Sequence, residues 1–218
     1  MVQDDTSRQV SGNLPLPVLT GAAIRDALEP DRVVGSEQVY EGAVWTVMRQ
    51  SVDLGAAGTV VRDVVRHPGA AAVIALDERD RVVLVNQYRH PVGARLWEAP
   101  AGLVDRDDED PLQTAQRELA EEAGLRADLW FPLLTMALTP GGSDERIHLF
   151  LARGLSVANT EAFVPTGEES TMHSALVPLD DLVSAVLEGR IANATLVAGV
   201  LAVQRHRDEQ WRGLPEPA

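Results

Sequence analysis

The 218-residue chain contains no cysteine and no lysine. Without cysteine there can be no disulfide, no thiolate zinc site and no thiol nucleophile. Without lysine, Schiff-base chemistry and P-loop lysines are excluded, and all 19 basic residues are arginine. Positive charge is scarce overall: 33 Asp plus Glu against those 19 give a formal net charge of −14. Binding to a nucleic-acid backbone rests on clustered cations that release counterions, so no nucleic-acid partner is expected. Long apolar runs are missing too. The longest uncharged stretch near the C-terminus, residues 191–204, is short of the ~20 residues that span a bilayer. The opening MVQDDTSRQVSG has neither a basic segment nor an apolar core, so it does not read as a signal peptide. A soluble, cytoplasmic protein with no membrane partner is expected.

A hydrophobic content of 45% is enough for a buried core, in one large domain or a domain with an appendage. Residues 1–32, with Pro15, Pro17 and Pro30, read as a loose arm with one short helix around 22–28. Residues 33–67 hold three β-rich segments separated at Gly42 and at Gly55-Ala-Ala-Gly58, an antiparallel meander. Three strands offer one apolar face that needs a cover, so the meander should pack on the rest of the chain or on a second copy. The main domain, 68–207, begins with AAAVIAL and RVVLVNQYR around Asp77-Glu-Arg-Asp80, read as a hairpin of two buried strands. LWEAPAGLV follows as a short strand leading into a loop. Asp110 as N-cap and Pro111 at the first position open a helix that ends at Gly124. LWFPLLTMAL and RIHLFLAR read as strands joined by TPGGSDE, and two helices follow, one near 180–189 and one capped by Asn193. Residues 208–218 form a tail. This order of elements gives an α/β or α+β fold, a mixed sheet with helices around it.

Half of the net charge lies within residues 98–122, where nine acids face two arginines. Glu118 and Glu122 are four apart and Glu121 is three from Glu118, so the three project from one helix face, beside Leu112, Ala115 and Leu119. Like charges at that spacing repel by a few tenths of a kcal/mol per pair. Arg117 can pair with Glu121 at i,i+4 and leaves the other two for a cation. A hard divalent ion bound through oxygen is the natural partner. An EF-hand loop starting at Asp105 is excluded, because its sixth position is Asp110 rather than glycine.

From Gly102 the chain runs six residues to Glu109, seven more to Arg117, then Arg-Glu-Leu-Ala-Glu-Glu-Ala-Gly-Leu. This resembles the box of the Nudix hydrolases, which has five residues in the first gap. The extra residue falls in a loop, where insertion is cheap. Seven fixed positions at ~7% usage each make chance occurrence on the order of one in a million. The resemblance implies a Nudix sandwich carrying the N-terminal meander. It implies that Glu118, Glu122 and the Ala101 carbonyl bind metal, with Glu121 sharing or supporting it. It also implies that Glu109 pairs with Arg117 to hold loop against helix, and that Gly102 and Gly124 are structural. The ion would be Mg²⁺, with Mn²⁺ as the alternative.

The order QYRH, WEAPAG, box, TPGGSDE is similar to the ADP-ribose pyrophosphatase branch of that family, a resemblance covering roughly residues 35–205. It implies that Arg89 meets phosphate, a role suited to its planar fork. It implies a catalytic base on the late PTGEESTMH segment, Glu169 by its spacing to Met172, with Glu168 adjacent. Thr171 stands where relatives often carry another acid. In that branch two protomers exchange N-terminal sheets, so a homodimer is implied, with Trp45, Arg62, Arg66 and Glu41 near the nucleoside. The implied reaction is Mg²⁺-dependent hydrolysis of ADP-ribose to AMP and ribose 5-phosphate, with Glu118 and Glu121 among the catalytic acids. Three readings stand beside it: a pyrophosphatase for another nucleoside diphosphate sugar or dinucleotide, a non-catalytic ADP-ribose sensor, and a plain acidic interaction domain. Sensors usually lose the box carboxylates, which are all present here.

Overall fold

A computed structural model describes residues 16–106, 109–158 and 171–218. The N-terminal sheet is an antiparallel meander of β1 (Arg32–Glu41), β2 (Thr46–Asp53) and β3 (Thr59–Arg66) in the order β1-β2-β3. In place of a helix at 22–28 there is only a 3₁₀ turn, Gly21–Ala23, with no side-chain cap and no buried residue. Without a cap or a buried face, nothing offsets the cost of nucleating a longer helix.

Two further sheets form the main body. One is mixed, with β7 (Ala101–Leu103), β4 (Ala70–Ala75), β9 (Arg146–Val157) and β8 (Leu125–Ala137) in the order β7-β4-β9-β8. Within it β4 and β9 are parallel. The other is antiparallel, with β10 (His173–Pro178), β5 (Arg81–Arg89) and β6 (Ala94–Glu98) in the order β10-β5-β6. The expected hairpin of β4 and β5 is therefore corrected. The turn is present, with Asp77 N–H donating to Arg81 O, but the strands share only the bridge Leu76↔Val82 before entering different sheets. Both are buried along nearly their whole length, so each can be an inner strand and neither needs the other as a neighbour.

Alternate residues of β4 serve two cores. Ala70, Ala72 and Ile74, with Leu76 just beyond the strand, join Leu149, Leu196 and Val200 on one side. Ala71, Val73 and Ala75 meet Ala115, Leu119, Trp130 and Phe150 on the other. Helix α1 (Pro111–Ala123) covers the second side, while α2 (Leu179–Leu187) and α3 (Ala194–Asp208) cover the first. This is the α+β fold that the order of elements allowed and the sandwich that the resemblance implied.

Two junctions set up the site. LWEAPAGLV is two strands rather than one, because the chain leaves β6 at Glu98, crosses between sheets at Ala99-Pro100 and enters β7 at Ala101. Proline has no N–H for a ladder, so a strand break there costs little; its carbonyl still accepts from Val73 N–H. The meander is stitched to the β8–β9 connection: Val65 N–H donates to Gly142 O, Asp144 N–H to Val65 O, and Arg66 Nη1 lies 2.6 Å from Asp144 Oδ2.

Candidate active site

A cleft of about 890 Å³ opens where these junctions meet α1. Its wall on the α1 side begins with a well-built helix start. The Asp110 side chain accepts from Gln113 N–H, the Gln113 side chain accepts from Asp110 N–H, and Pro111 opens the helix. Gly124 ends it at φ 65°, a left-handed cap that suits glycine. Leu119 and Ala115, fully buried against the mixed sheet, fix the helix rotation and so turn Glu118, Glu121 and Glu122 to the cleft.

Arg117 ties the acids together more fully than sequence spacing implied. Its Nε and Nη2 donate to the two oxygens of Glu109 at 3.0 and 3.2 Å, and its Nη1 reaches Glu118 at 2.5 Å and Glu121 at 3.0 Å. The expectation that Arg117 leaves Glu118 without a protein cation is thus corrected. A guanidinium has five donors and can serve three carboxylates at once. Burial opposes its charge, yet the bonds from Glu109, Glu121 and Glu118 outweigh that and hold it above its ordinary value. The same bond from Arg117, helped by Thr114 Oγ1 at 3.0 Å, holds the Glu109 carboxyl below the usual range against some burial.

Gly102 lies against Glu118. A Cβ built on it would sit 1.9 Å from Glu118 Oε1, so the carboxylate occupies the space a side chain would need. Ala101 N–H donates to Glu122 Oε2 at 3.0 Å, which sets the residue-101 backbone beside that carboxylate. Glu118 beside Gly102 and Glu122 on the Ala101 N–H therefore meet at the 101–102 backbone, and their carboxylate oxygens are the donor type a hard divalent ion takes. Among the described residues no group of three His, Asp or Glu is placed so that it could hold a metal ion by itself.

Across the cleft, Arg89 ends β5 and donates to the buried Glu98, with Nη2···Oε2 at 2.7 Å. Trp45 and Val44 reach the rim from the β1–β2 turn, where Gly42 N–H donates to Trp45 O. The remaining expected residues lie elsewhere. Arg66 is engaged with Asp144, Arg62 donates to its neighbour Val61 O, and Glu41 accepts from Gln38; none of the three lines this cleft. Glu168 and Glu169 lie outside the described residues.

The cleft also contains residues that sequence reasoning passed over. Glu98 and Glu145 sit inside the quoted WEAPAG and TPGGSDE stretches, so a signal for them was present. His67, Asn193 and Thr195 come from the end of β3 and the start of α3, and only tertiary packing brings them in. Among the described residues, six carboxylates (Glu98, Asp105, Glu118, Glu121, Glu122, Glu145) face three guanidiniums (Arg89, Arg106, Arg117) around the cleft. With His67 neutral the lining carries a formal −3.

Comparison with known proteins points to one family. The family model described as "NUDIX domain" matches residues 65–199. The chain is 43% identical over 192 residues to an ADP-ribose pyrophosphatase of Mycobacterium tuberculosis, covering 84% of this chain and 91% of that protein. It is 36% identical over 174 residues to a methanol dehydrogenase activator of Bacillus methanolicus, covering 80% and 92%. Among solved structures, an ADP compounds hydrolase superposes with a TM-score of 0.68 at 21% identity, over 86% of this chain and all of that one, a likeness of fold. The box at 102–125, with Glu118, Glu121 and Glu122 lining one cleft, and these matches lead to one conclusion: the chain belongs to the Nudix family and is a Nudix pyrophosphohydrolase.

Proposed function

We propose that the protein hydrolyses the diphosphate of ADP-ribose, giving AMP and ribose 5-phosphate, with Mg²⁺ or Mn²⁺ as the metal. The observation that carries this reading is the charge of the cleft. A lining at −3 repels a diphosphate unless divalent ions stand between them. In this reading Glu118, Glu122 and the Ala101 carbonyl hold the metal, and Glu121 supports them while Arg117 orients it. Such an ion, when bound, neutralises diphosphate oxygens and makes water more acidic. Arg89 orients the diphosphate through its fork. Glu169 accepts the proton of the attacking water. Trp45 offers an aromatic face to a base. Arg62, Arg66 and Glu41 enter the same pocket if a second protomer supplies its meander, so the working form is a homodimer through the N-terminal sheet. Exposed Val33, Val34, Val39, Tyr40 and Val61 on that sheet support an interface there. The 43% identical relative, an ADP-ribose pyrophosphatase, supports the substrate.

The test is a product assay across ADP-ribose, UDP-glucose, GDP-mannose and NADH with each metal. ADP-ribose should give the highest kcat/KM, with AMP as a product. Glu122→Gln should lower kcat by roughly 10³-fold while far-UV circular dichroism is unchanged. A Glu122→Gln enzyme with near-normal turnover would refute the metal assignment, and a higher kcat/KM for another substrate would refute the specificity.

A further inference from the structure

We propose that Glu98 is the positioning residue that aims Arg89 at the substrate diphosphate, an inference that rests on reading Arg89 as the phosphate contact. Glu98 ends β6, and its side chain is only 4% exposed, whereas Arg89 is 43% exposed. Both line the cleft. Arg89 Nε lies 3.1 and 3.2 Å from the two Glu98 oxygens and Nη2 lies 2.7 Å from Oε2. One edge of the guanidinium is thus held by the carboxylate in fork geometry. The plane is rigid, so fixing that edge also fixes the direction of the donors on the opposite side. Gln87, two residues before Arg89 on the same face of β5, donates to Glu98 Oε2 at 3.4 Å and braces the carboxylate from the side.

Tying β5 to β6 would not need this pair. The strands are already registered through Val85↔Glu98, Gln87↔Leu96 and Arg89↔Ala94. A buried ion pair is seldom worth more to stability than well-packed apolar residues. In a cleft already rich in acid, a buried carboxylate also cancels one of the three guanidiniums that line it among the described residues. What it gives in return is a fixed donor direction, so that less side-chain entropy is lost when the diphosphate binds.

The test is a double-mutant cycle on kcat/KM for ADP-ribose with Glu98→Gln, Arg89→Ala and the pair. Glu98→Gln keeps the shape but presents an amide N–H₂ toward the guanidinium. It should lower kcat/KM by about 10- to 100-fold, Arg89→Ala should lower it further, and the double variant should match Arg89→Ala within about threefold, since residues acting as one unit are non-additive. Added guanidinium ion should restore part of the Arg89→Ala activity when Glu98 is present and none in the double variant. If Arg89→Ala strands the buried carboxylate and misfolds, Arg89→Lys, which keeps the charge and loses the fork, takes its place in the cycle. Losses that multiply in the double variant, or a Glu98→Gln enzyme with normal kcat/KM beside an impaired Arg89 variant, overturn the positioning role. Normal kcat/KM in the Arg89 variants overturns the phosphate contact itself, and the positioning role with it.

Discussion

Gly102 lacks a side chain at the point where Glu118 needs the room. The contact of 1.9 Å to a built Cβ is far inside any tolerated approach, so Gly102→Ala must push Glu118 aside or move β7. We expect Gly102→Ala to lower kcat by at least about 100-fold and to cost about 1–3 kcal/mol in urea unfolding, the range for overpacking. Wild-type kcat in that variant would show that the Glu118 position does not matter. Arg117 shows where spacing misleads. Periodicity gives its i,i+4 reach to Glu121, but its bonds to Glu118 and to Glu109 across the loop depend on the rotamer and on loop closure.

At the scale of elements, α1 was readable from end to end. Asp110, Pro111 and Gly124 are local signals, acting through hydrogen bonds and dihedral angles within a few residues, and the structure places cap, first turn and C-cap at them. Removing the capping box with Asp110→Ala should cost about 1 kcal/mol, read as a lowered midpoint of chemical denaturation with unchanged slope. The stitch between β3 and the β8–β9 connection had no such signal, since Arg66 and Asp144 are 78 residues apart. Burial raises the Asp144 carboxyl, but Arg66 and the His67 N–H outweigh it and hold it below the usual carboxylate range. The folded state therefore binds fewer protons than the unfolded one in that window. Its stabilising contribution is complete above the ordinary Asp value of about 3.9 and is lost as pH falls through the lowered folded value. Asp144→Asn should flatten the acid limb of stability against pH and leave the neutral limb displaced by a constant amount. An acid limb identical to wild type would refute the linkage.

For the whole molecule the decisive quantity is where the −14 sits. A cleft lined at −3 stores repulsion that a bound divalent ion relieves, so such an ion should stabilise the fold by mass action. At 100-fold excess over Kd the gain is about 2.7 kcal/mol, which for a chain of this size corresponds to a Tm rise of roughly 5–10 °C. The rise should saturate, persist in high sodium chloride and shrink in Glu122→Gln. A rise reproduced by sodium chloride alone would mean simple screening of a charged surface.

The family, the carboxylate helix with both of its ends and the sequence positions of most strands and of the last two helices are legible in the residues alone, because these depend on contacts within a turn or on alternation along a strand. The sequence also placed Glu98 and Glu145 inside recognisable stretches, though not their roles. The tertiary structure decided that β4 and β5 part into separate sheets, that the chain changes sheets at Ala99-Pro100, and that Arg89 is held by Glu98. It also decided that His67, Asn193 and Thr195 share a cleft with α1. The reason is physical: a strand buried on both faces carries no pattern that names its neighbours, and a guanidinium takes whichever carboxylates the packed backbone brings within 3 Å.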